Sequence, residues 1–386
     1  MTAVLVLDAN QRSALAAVRS LGRAGLRVFA ADSSGATLAG ASRYCHRRLS
    51  YPSPYSEPQA FVDAIAQAVR AHGIDVVLPM TEVSLQLLLG ARDRLGTAAL
   101  PAPALAAFEA MSDKYRLFKT AQALGVPMPR TVFIDDAHSL VAQADAWDYP
   151  VVVKPHRSRI WHNGAWLSTS VRYAHSRAEL DAMVANDVAL SAYPFLLQSF
   201  IDGHGEGLFA LFDRGRAVDF FAHRRLRERP ASGGVSVLSE SAPVPVDLRD
   251  IAERLLAAQG WHGVAMVEFK RGRDGVPYLM EVNARFWGSL QLAVDAGVDF
   301  PARLVRLARG ERLSAQPSYR VGARLRWLLG DLDRLYLLMK DRRVGVRKKL
   351  AAARDFLLPS GARHEVNRFG DLRPAWFELK RYVKRD

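Results

Sequence analysis

Short uninterrupted apolar runs alternate with helical spacing at the start of this chain. Residues 4–9 (VLVLDA) read as a strand buried on both faces. Leu15, Val18 and Leu21 then recur at helical intervals until Gly22 and Gly25 stop the pattern. A second buried strand covers 26–32, and a third, 75–79, ends in Met80-Thr81-Glu82. This order predicts a parallel α/β unit. Leu100-Pro101-Ala102-Pro103 links it to a second region, where Ser112 or Asp113 caps a helix that stops near Gly125. Pro127 and Pro129 then force an extended exit. Residues 149–155 form a buried strand ending in a lysine, and 156–166 (HRSRIWHNGAW) read as a basic, aromatic loop. A strand at 195–201 runs into Asp202–Glu206, and strands 208–212 and 217–221 flank the turn Asp213-Arg214-Gly215. No internal repeat or low-complexity tract interrupts this order.

The stretch 262–289 (HGVAMVEFKRGRDGVPYLMEVNARFWGS) carries candidate chemistry. Asp274-Gly275 predicts a two-residue turn, since both central positions of a type I′ turn take positive φ. With that turn, Val267 pairs with Val282 and Phe269 with Met280 on an apolar face. On the other face Glu268 stands opposite Glu281, with Asn283 two residues along. Like charges directly opposite destabilise a hairpin. A hard divalent cation reverses that penalty, because Mg²⁺ takes carboxylate and amide oxygens and leaves room for phosphates. The alternative is a pair of solvent-facing strand carboxylates. Arg285 follows at the same two-residue step, and Phe286-Trp287-Gly288-Ser289 is not ordinary surface.

Composition narrows the classes. With 386 residues, 49% hydrophobic and 24% charged, the chain is globular and long enough for two or three domains. No run approaches the roughly 18 uncharged apolar residues that span a bilayer. The first residues enter a strand without a basic leader, and Cys45 is the only cysteine, so a reducing cytoplasm is expected. The turn after the first strand, DANQRS, lacks the glycine fingerprint of dinucleotide binding. Thr81 and Glu82, at a strand's C-terminal end, are substrate-pocket candidates, or equally a helix cap with an acid in its first turn. The net charge of +14 is uneven: residues 320–386 hold 18 Lys and Arg against 8 Asp and Glu.

The succession SDKY (112–115), VVVKP (151–155), QSFIDGHGE (198–206), HRRLRE (223–228), MVEF (266–269) and EVNAR (281–285) resembles the ATP-grasp superfamily, its carboxylate–amine ligase-like branch. The fold this implies is α/β: a Rossmann-like preATP-grasp domain over 1–105, a first ATP-grasp subdomain with a phosphate-covering loop over 106–195, and a second with hinge and metal site over 196–315. A basic extension, 316–386, follows. The resemblance implies that Lys114 and Lys154 contact ATP phosphates, that Gln198, Ser199, Phe200 and Ile201 form the adenine hinge, and that Glu206 accepts from the ribose. It places Mg²⁺ (or Mn²⁺) on Glu268, Glu281 and Asn283. Arg285 would stabilise the transferring phosphoryl group, with Arg224 and Arg225 holding the γ-phosphate or a substrate carboxylate. Ser232-Gly233-Gly234 would let backbone approach the same ligand. In one departure, 156–166 has a single glycine, Gly164, so Arg157, Arg159 or His162 would supply charge there; neither His156 nor His162 has metal spacing.

The leading functional expectation is ATP-dependent amide or peptide bond formation between a carboxylate and an amine through an acyl-phosphate. The carboxylate would belong to a small molecule, a glycan or a peptide. Alternatives are a carboxylase or kinase on the same fold, or an inactive ATP-binding regulator. Nucleic-acid binding rests on charge alone, without zinc-finger spacing or an aromatic RNA signature. Residues 340–357 (KDRRVGVRKKLAAARDFL) mix cations with apolar positions, so the extension either meets an anionic membrane or acidic polymer, or packs on the body as a solvated helix. Trp327, Trp376 and Phe377 are expected as packing anchors.

Overall fold

The computed structural model describes residues 1–136, 147–230, 234–315, 318–358 and 361–384. The N-terminal domain runs β1 (Ala3–Val6), α1 (Arg12–Arg23), β2 (Arg27–Asp32), β3 (Arg47–Ser50), α2 (Pro58–His72), β4 (Val76–Leu78) and α3 (Glu82–Gly90). Its sheet has the order β3-β2-β1-β4, with every pair parallel. The α/β expectation holds. The edge strand β3, RRLS, escaped the sequence reading because it is charged and largely exposed. At the end of β1, Asp8 takes a left-handed φ of 53°. Its buried carboxylate accepts from the Met80 and Thr81 N–H groups at 2.9 Å and from Ser84 Oγ at 2.7 Å, clasping β1 to the start of α3. Thr81 caps that helix, which places Glu82 in its first turn.

After α4 (Leu105–Ser112), α5 (Lys114–Ala123) begins at Asp113, whose side chain accepts from the Arg116 N–H at 3.2 Å. The strands β5 (Thr131–Ile134), β6 (Val151–Pro155), β7 (Arg159–His162), β8 (Ala165–Ser168) and β9 (Arg172–Ala174) follow. Helices α6 (Arg177–Ala185) and α7 (Val188–Ser191) then lead to β10 (Phe195–Ser199). Strands β5-β10-β6-β9 make an antiparallel sheet around Ile134, Val151, Val153, Phe195 and Leu197. The segment 156–166, expected as a loop, is mostly the hairpin β7–β8. Asn163 (φ 47°) and Gly164 (φ 81°) supply the two positive φ values its tight turn needs.

The second subdomain contains β11 (Gly203–Asp213), β12 (Arg216–Arg229), β13 (Val235–Ala242), α8 (Val246–Ala257), β14 (Gly263–Gly272), β15 (Pro277–Asn283), α9 (Leu290–Ala296) and α10 (Phe300–Ala308). Residues 318–384 are no loose tail: they hold β16 (Arg324–Arg326), α11 (Leu328–Lys340), α12 (Val346–Leu357), β17 (Arg363–His364) and α13 (Arg373–Val383). The sheet order is β15-β14-β11-β12-β13-β16-β17, so the extension contributes its last two strands. Two apolar cores join this sheet to the N-terminal domain. One gathers Leu5, Phe61, Phe108, Phe212 and Trp261; the other gathers Val6, Leu15, Phe221, Trp287 and Phe300. The first subdomain has its own smaller core.

Ion pairs explain where part of the extension's charge goes. Arg19, almost fully buried, meets Asp371 Oδ2 at 2.8 Å and the Glu365 and Val366 carbonyls at 2.9 and 2.8 Å. Arg326 and Arg227 converge on buried Asp331 at 2.8 and 2.7 Å. No helix among the described residues is long and apolar enough to cross a membrane.

Candidate functional site

Glu268 and Glu281 are direct cross-strand partners, as expected, yet the path to that register differs from the expectation. The Asp274-Gly275 pair does not form a type I′ turn, since Gly275 alone has positive φ (80°). The Gly272 N–H instead donates to the Val276 carbonyl at 3.0 Å, and the loop is one residue longer. Phe269 therefore pairs with Leu279, not Met280. A bulge between Glu268 and Phe269 then restores the register at the glutamates. Its physical result is that Met280 leaves the apolar face and lies 3.9 Å from Lys154 Nζ.

The two carboxylates divide a cleft. On one side lies a cavity of ≈410 Å³ bordered by Lys114, Lys154, Gln198, Phe200, Glu268 and Glu281, among others. Lys154 ends β6 almost fully buried, with Phe118's ring 5.2 Å below its ammonium. Burial, aided by the nearby charge of Lys114, pulls its pKa down to about 7. Lys114 Nζ sits 3.3 Å from Glu281 Oε2, and its backbone N–H donates to the His156 carbonyl at 2.6 Å. Burial pushes both glutamates up. For Glu281 the charge of Lys114 and a 3.0 Å bond from Asn283 Nδ2 prevail, and its pKa falls; Glu268, facing the Glu281 charge, stays raised.

The same cavity has an apolar wall formed by Val152, Val171, Tyr173, Phe200, Ile201 and Met280, with Ser199 at its edge. Gln198 is buried beside it. Thr131 donates its only hydroxyl proton to the Pro129 carbonyl at 2.7 Å, so Gln198 must present its amide N–H to Thr131 Oγ1, at 2.9 Å. That orientation leaves Gln198 Oε1 buried without a partner. An unpaired acceptor beside a flat apolar slot, next to two lysines, fits a purine nucleotide. Among the described residues no three His, Cys, Asp or Glu side chains cluster as a metal cage. Two carboxylates and the Asn283 amide suit a cation that draws its other ligands from phosphates and water, which is the habit of Mg²⁺.

Across the glutamates lies a second cavity of ≈370 Å³, which shares Gly234, Glu268 and Glu281 with the first. Arginines dominate it. Arg225 NH2 meets Glu268 Oε2 at 3.0 Å, and Arg285 NH2 reaches Asn283 Oδ1 at 3.4 Å. Arg12 opens α1, its guanidinium stacked 3.9 Å over Trp327 and bonded to Glu365. Behind them His223 stacks on Phe209 (4.7 Å between ring centres) and is held neutral by burial, its pKa about 3. Its Nε2 lies 3.3 Å from Ser289 Oγ; its Nδ1, like the Trp287 indole N–H, is buried without a partner.

Not every candidate joins this site. Arg224 and Arg225 are adjacent on β12 and so point to opposite faces; Arg224 is exposed, 2.5 Å from Glu240 Oε1. Glu206 is bound by Arg271 at 2.8 Å and does not line either cavity. Arg157 is drawn to Asp113 (3.4 Å), Arg159 to Ser168 and His162 to the Tyr193 hydroxyl (2.9 Å). Gly234 borders both cavities, whereas Ser232 and Gly233 lie outside the described residues. Glu82 is half-buried, its pKa raised by burial against the pull of Lys114 and Arg285. Arg12, His223, Trp287 and Ser289 were not assigned roles from sequence. The two-residue alternation from His223 to Arg225, and the odd FWGS composition, were the available signals for three of them.

Residues 193–330 match the family model described as ATP-grasp in the biosynthetic pathway with Ter operon. Among solved structures, a biotin carboxylase from Campylobacter jejuni, in complex with a β,γ-ATP compound, superposes with a TM-score of 0.67 at 17% identity, over 83% of this chain and 74% of that one. An L-amino acid ligase from Bacillus licheniformis gives 0.61 at 20% identity, over 80% and 74%. The biotin carboxylase domain of a Hydrogenobacter thermophilus 2-oxoglutarate carboxylase, with MgADP and bicarbonate, gives 0.64 at 16% identity, over 83% and 73%. At such identities the likeness is one of fold, and the fold is ATP-grasp.

Proposed function

We propose that this ATP-grasp protein is an ATP-dependent ligase that joins a carboxylate to an amine through an acyl-phosphate. The observation that carries this reading is the wall of Glu268 and Glu281 between a lysine-lined cavity and an arginine-lined one. ATP occupies the first, with its base against Phe200 and Met280, an exocyclic amine donating to Gln198 Oε1, and its phosphates near Lys114 and Lys154. Glu268, Glu281 and Asn283 would hold Mg²⁺, which would supply neutralisation of phosphate charge. MgADP in the Hydrogenobacter carboxylase domain supports the same pairing on the same fold.

The substrate carboxylate binds Arg225 and Arg285, whose planar forks match it. One carboxylate oxygen attacks the γ-phosphorus and the bond to the ADP oxygen breaks. Arg285 offsets the charge that develops on the transferring group. The amine nitrogen then attacks the acyl carbon, the amide bond forms, and inorganic phosphate leaves with the former carboxylate oxygen. Glu82 lines neither cavity but lies close enough to feel the charges of Lys114, Arg285 and Glu281; with its pKa raised by burial, it is the group to which this reading gives the proton the amine must lose. A cavity of ≈370 Å³ is far roomier than bicarbonate requires and favours an organic acid. The L-amino acid ligase neighbour supports that choice.

The test is ADP release across a panel of acids, with hydroxylamine replacing the amine. A productive acid yields ADP and a hydroxamate together. ADP without hydroxamate makes the enzyme a kinase, and ADP release that needs only bicarbonate makes it a carboxylase.

A further inference from the structure

The last helix, α13, presents apolar side chains to solvent. Its inner side is already used: Pro374 is buried, Glu378 accepts from the Trp327 indole N–H at 2.8 Å, and the Tyr382 hydroxyl donates to Asp333 Oδ1 at 2.5 Å. Leu372, Trp376, Leu379 and Val383 nevertheless follow at steps of four, three and four residues, which is one helical face. Phe369 stands just ahead of them. These five range from 41% exposed at Leu379 to 100% at Phe369. Arg373, Lys380 and Lys384 are exposed beside the stripe. Asp371, the acid at its start, is instead buried on Arg19. Helix α12 repeats the pattern: Val346, Leu350 and Leu357 share an exposed face next to Arg347, and none of its residues is buried.

We infer that this face docks on the anionic surface of a lipid bilayer, with the stripe at the acyl boundary and the flanking cations on the headgroups. Two features select that occupant together. Five large apolar side chains would stay wet against nucleic acid or an acidic glycan, so charge alone does not account for the surface. A second copy would bury the stripe but set one basic extension, with 18 Lys and Arg against 8 Asp and Glu, against another. An anionic bilayer satisfies both the stripe and its rim. The inference does not depend on the ligase reading.

The full chain is floated with vesicles of phosphatidylcholine alone, or with phosphatidylserine added. Binding is expected to the second, weakening with salt and about fivefold for each flanking cation neutralised. Arg373→Gln with Lys380→Gln and Lys384→Gln should therefore lose about a hundredfold. Trp376→Ser with Leu379→Ser should lose about tenfold or more. These positions are exposed, so circular dichroism should match the parent. The inference is overturned if the parent binds neither vesicle, including the case where it binds heparin instead. Equal binding to both vesicles, or undiminished binding by both variants, overturns it too. So does a parent that sediments as a dimer without lipid while the Trp376→Ser/Leu379→Ser variant sediments as a monomer.

Discussion

The two cavities that meet at Glu268 and Glu281 are built in opposite ways. The proposed nucleotide cavity draws on a few short segments of neighbouring strands and one helix start, and two of its cations, Lys114 and Lys154, are lysines held dry. The arginine cavity gathers Arg12 from the start of α1, His223 and Arg225 from β12, and Arg285 to Ser289 from beyond β15, and its cations are guanidiniums already engaged. Compact ammonium groups suit any polyphosphate, whereas planar forks fixed by their own partners select shape. The first cavity is thus the generic half of the site and the second the discriminating half.

The largest effect is expected where the halves touch. Glu281→Gln keeps the shape but removes the charge that faces Lys114 and that, in the proposed reading, would hold the metal. ADP release should fall by roughly 10³-fold or more with the fold intact by circular dichroism. A folded mutant with parental turnover would remove Glu281 from the chemistry.

Next come changes that separate the halves. Arg225→Ala leaves Glu268 beside Glu281 without its guanidinium and strips the acceptor side of a fork. Acid-dependent ADP release should drop about 10²-fold while nucleotide affinity, read by calorimetry, changes little. Equal loss of nucleotide binding would show the two cavities acting as one.

Lys154 tests the other half through pH. Its folded pKa of about 7 lies below the ordinary 10.5, so in that interval the unfolded chain binds a proton that the folded apo protein lacks. The cost of burying the charge is complete below pH 7 and fades as pH rises toward 10.5. Lys154→Met should therefore raise Tm at pH 6 more than at pH 10, and weaken ATP binding about 10- to 100-fold at both. In the parent, ATP raises the lysine's pKa, so binding at pH 8 should take up a proton, measurable in buffers of different ionisation heat. A Tm gain independent of pH would mean that Lys154 binds its proton equally in the folded and unfolded chain, so that burial does not depress its pKa.

The same asymmetry governs what could be read from residues alone. The facing glutamates, Asn283 and Lys154 were legible because strand alternation and a buried strand end fix which way a side chain points, whereas Gln198 came only with the family resemblance, as part of a backbone hinge. The glutamate register was correct even though the turn was misread, because a longer loop and a one-residue bulge cancel. Met280 shows the cost of that cancellation: periodicity put it on the apolar face, and the bulge moved it into the cleft. Arg12 was out of reach, since its place depends on Trp327 and Glu365, more than 300 residues away. The role of 318–384 was hidden likewise, because Arg19–Asp371 and the added strands β16 and β17 are long-range pairings that no local pattern encodes. Arg224 was misplaced for want of applying the two-residue period that had already sorted the glutamates.

Gly288 offers the finest separation of the two halves. Its φ is not in the left-handed region, so an alanine meets no backbone strain, but the added Cβ would lie 3.2 Å from Arg12 NH2. Ordinarily a long side chain would yield a few tenths of an ångström at little cost. Arg12 is less free, because its guanidinium is stacked on Trp327 and bonded to Glu365. The methyl must therefore either tilt that fork or narrow the pocket beside it. Gly288→Ala should raise the acceptor KM about two- to fivefold, with the ATP KM and the thermal midpoint nearly unchanged. The double variant Gly288→Ala/Arg12→Ala separates the two routes, since removing the guanidinium removes the contact. If the methyl acts through Arg12, adding it to Arg12→Ala changes nothing further. If the acceptor KM still rises by the same factor, the methyl occludes the pocket directly, and Arg12 borders the discriminating cavity without setting its shape.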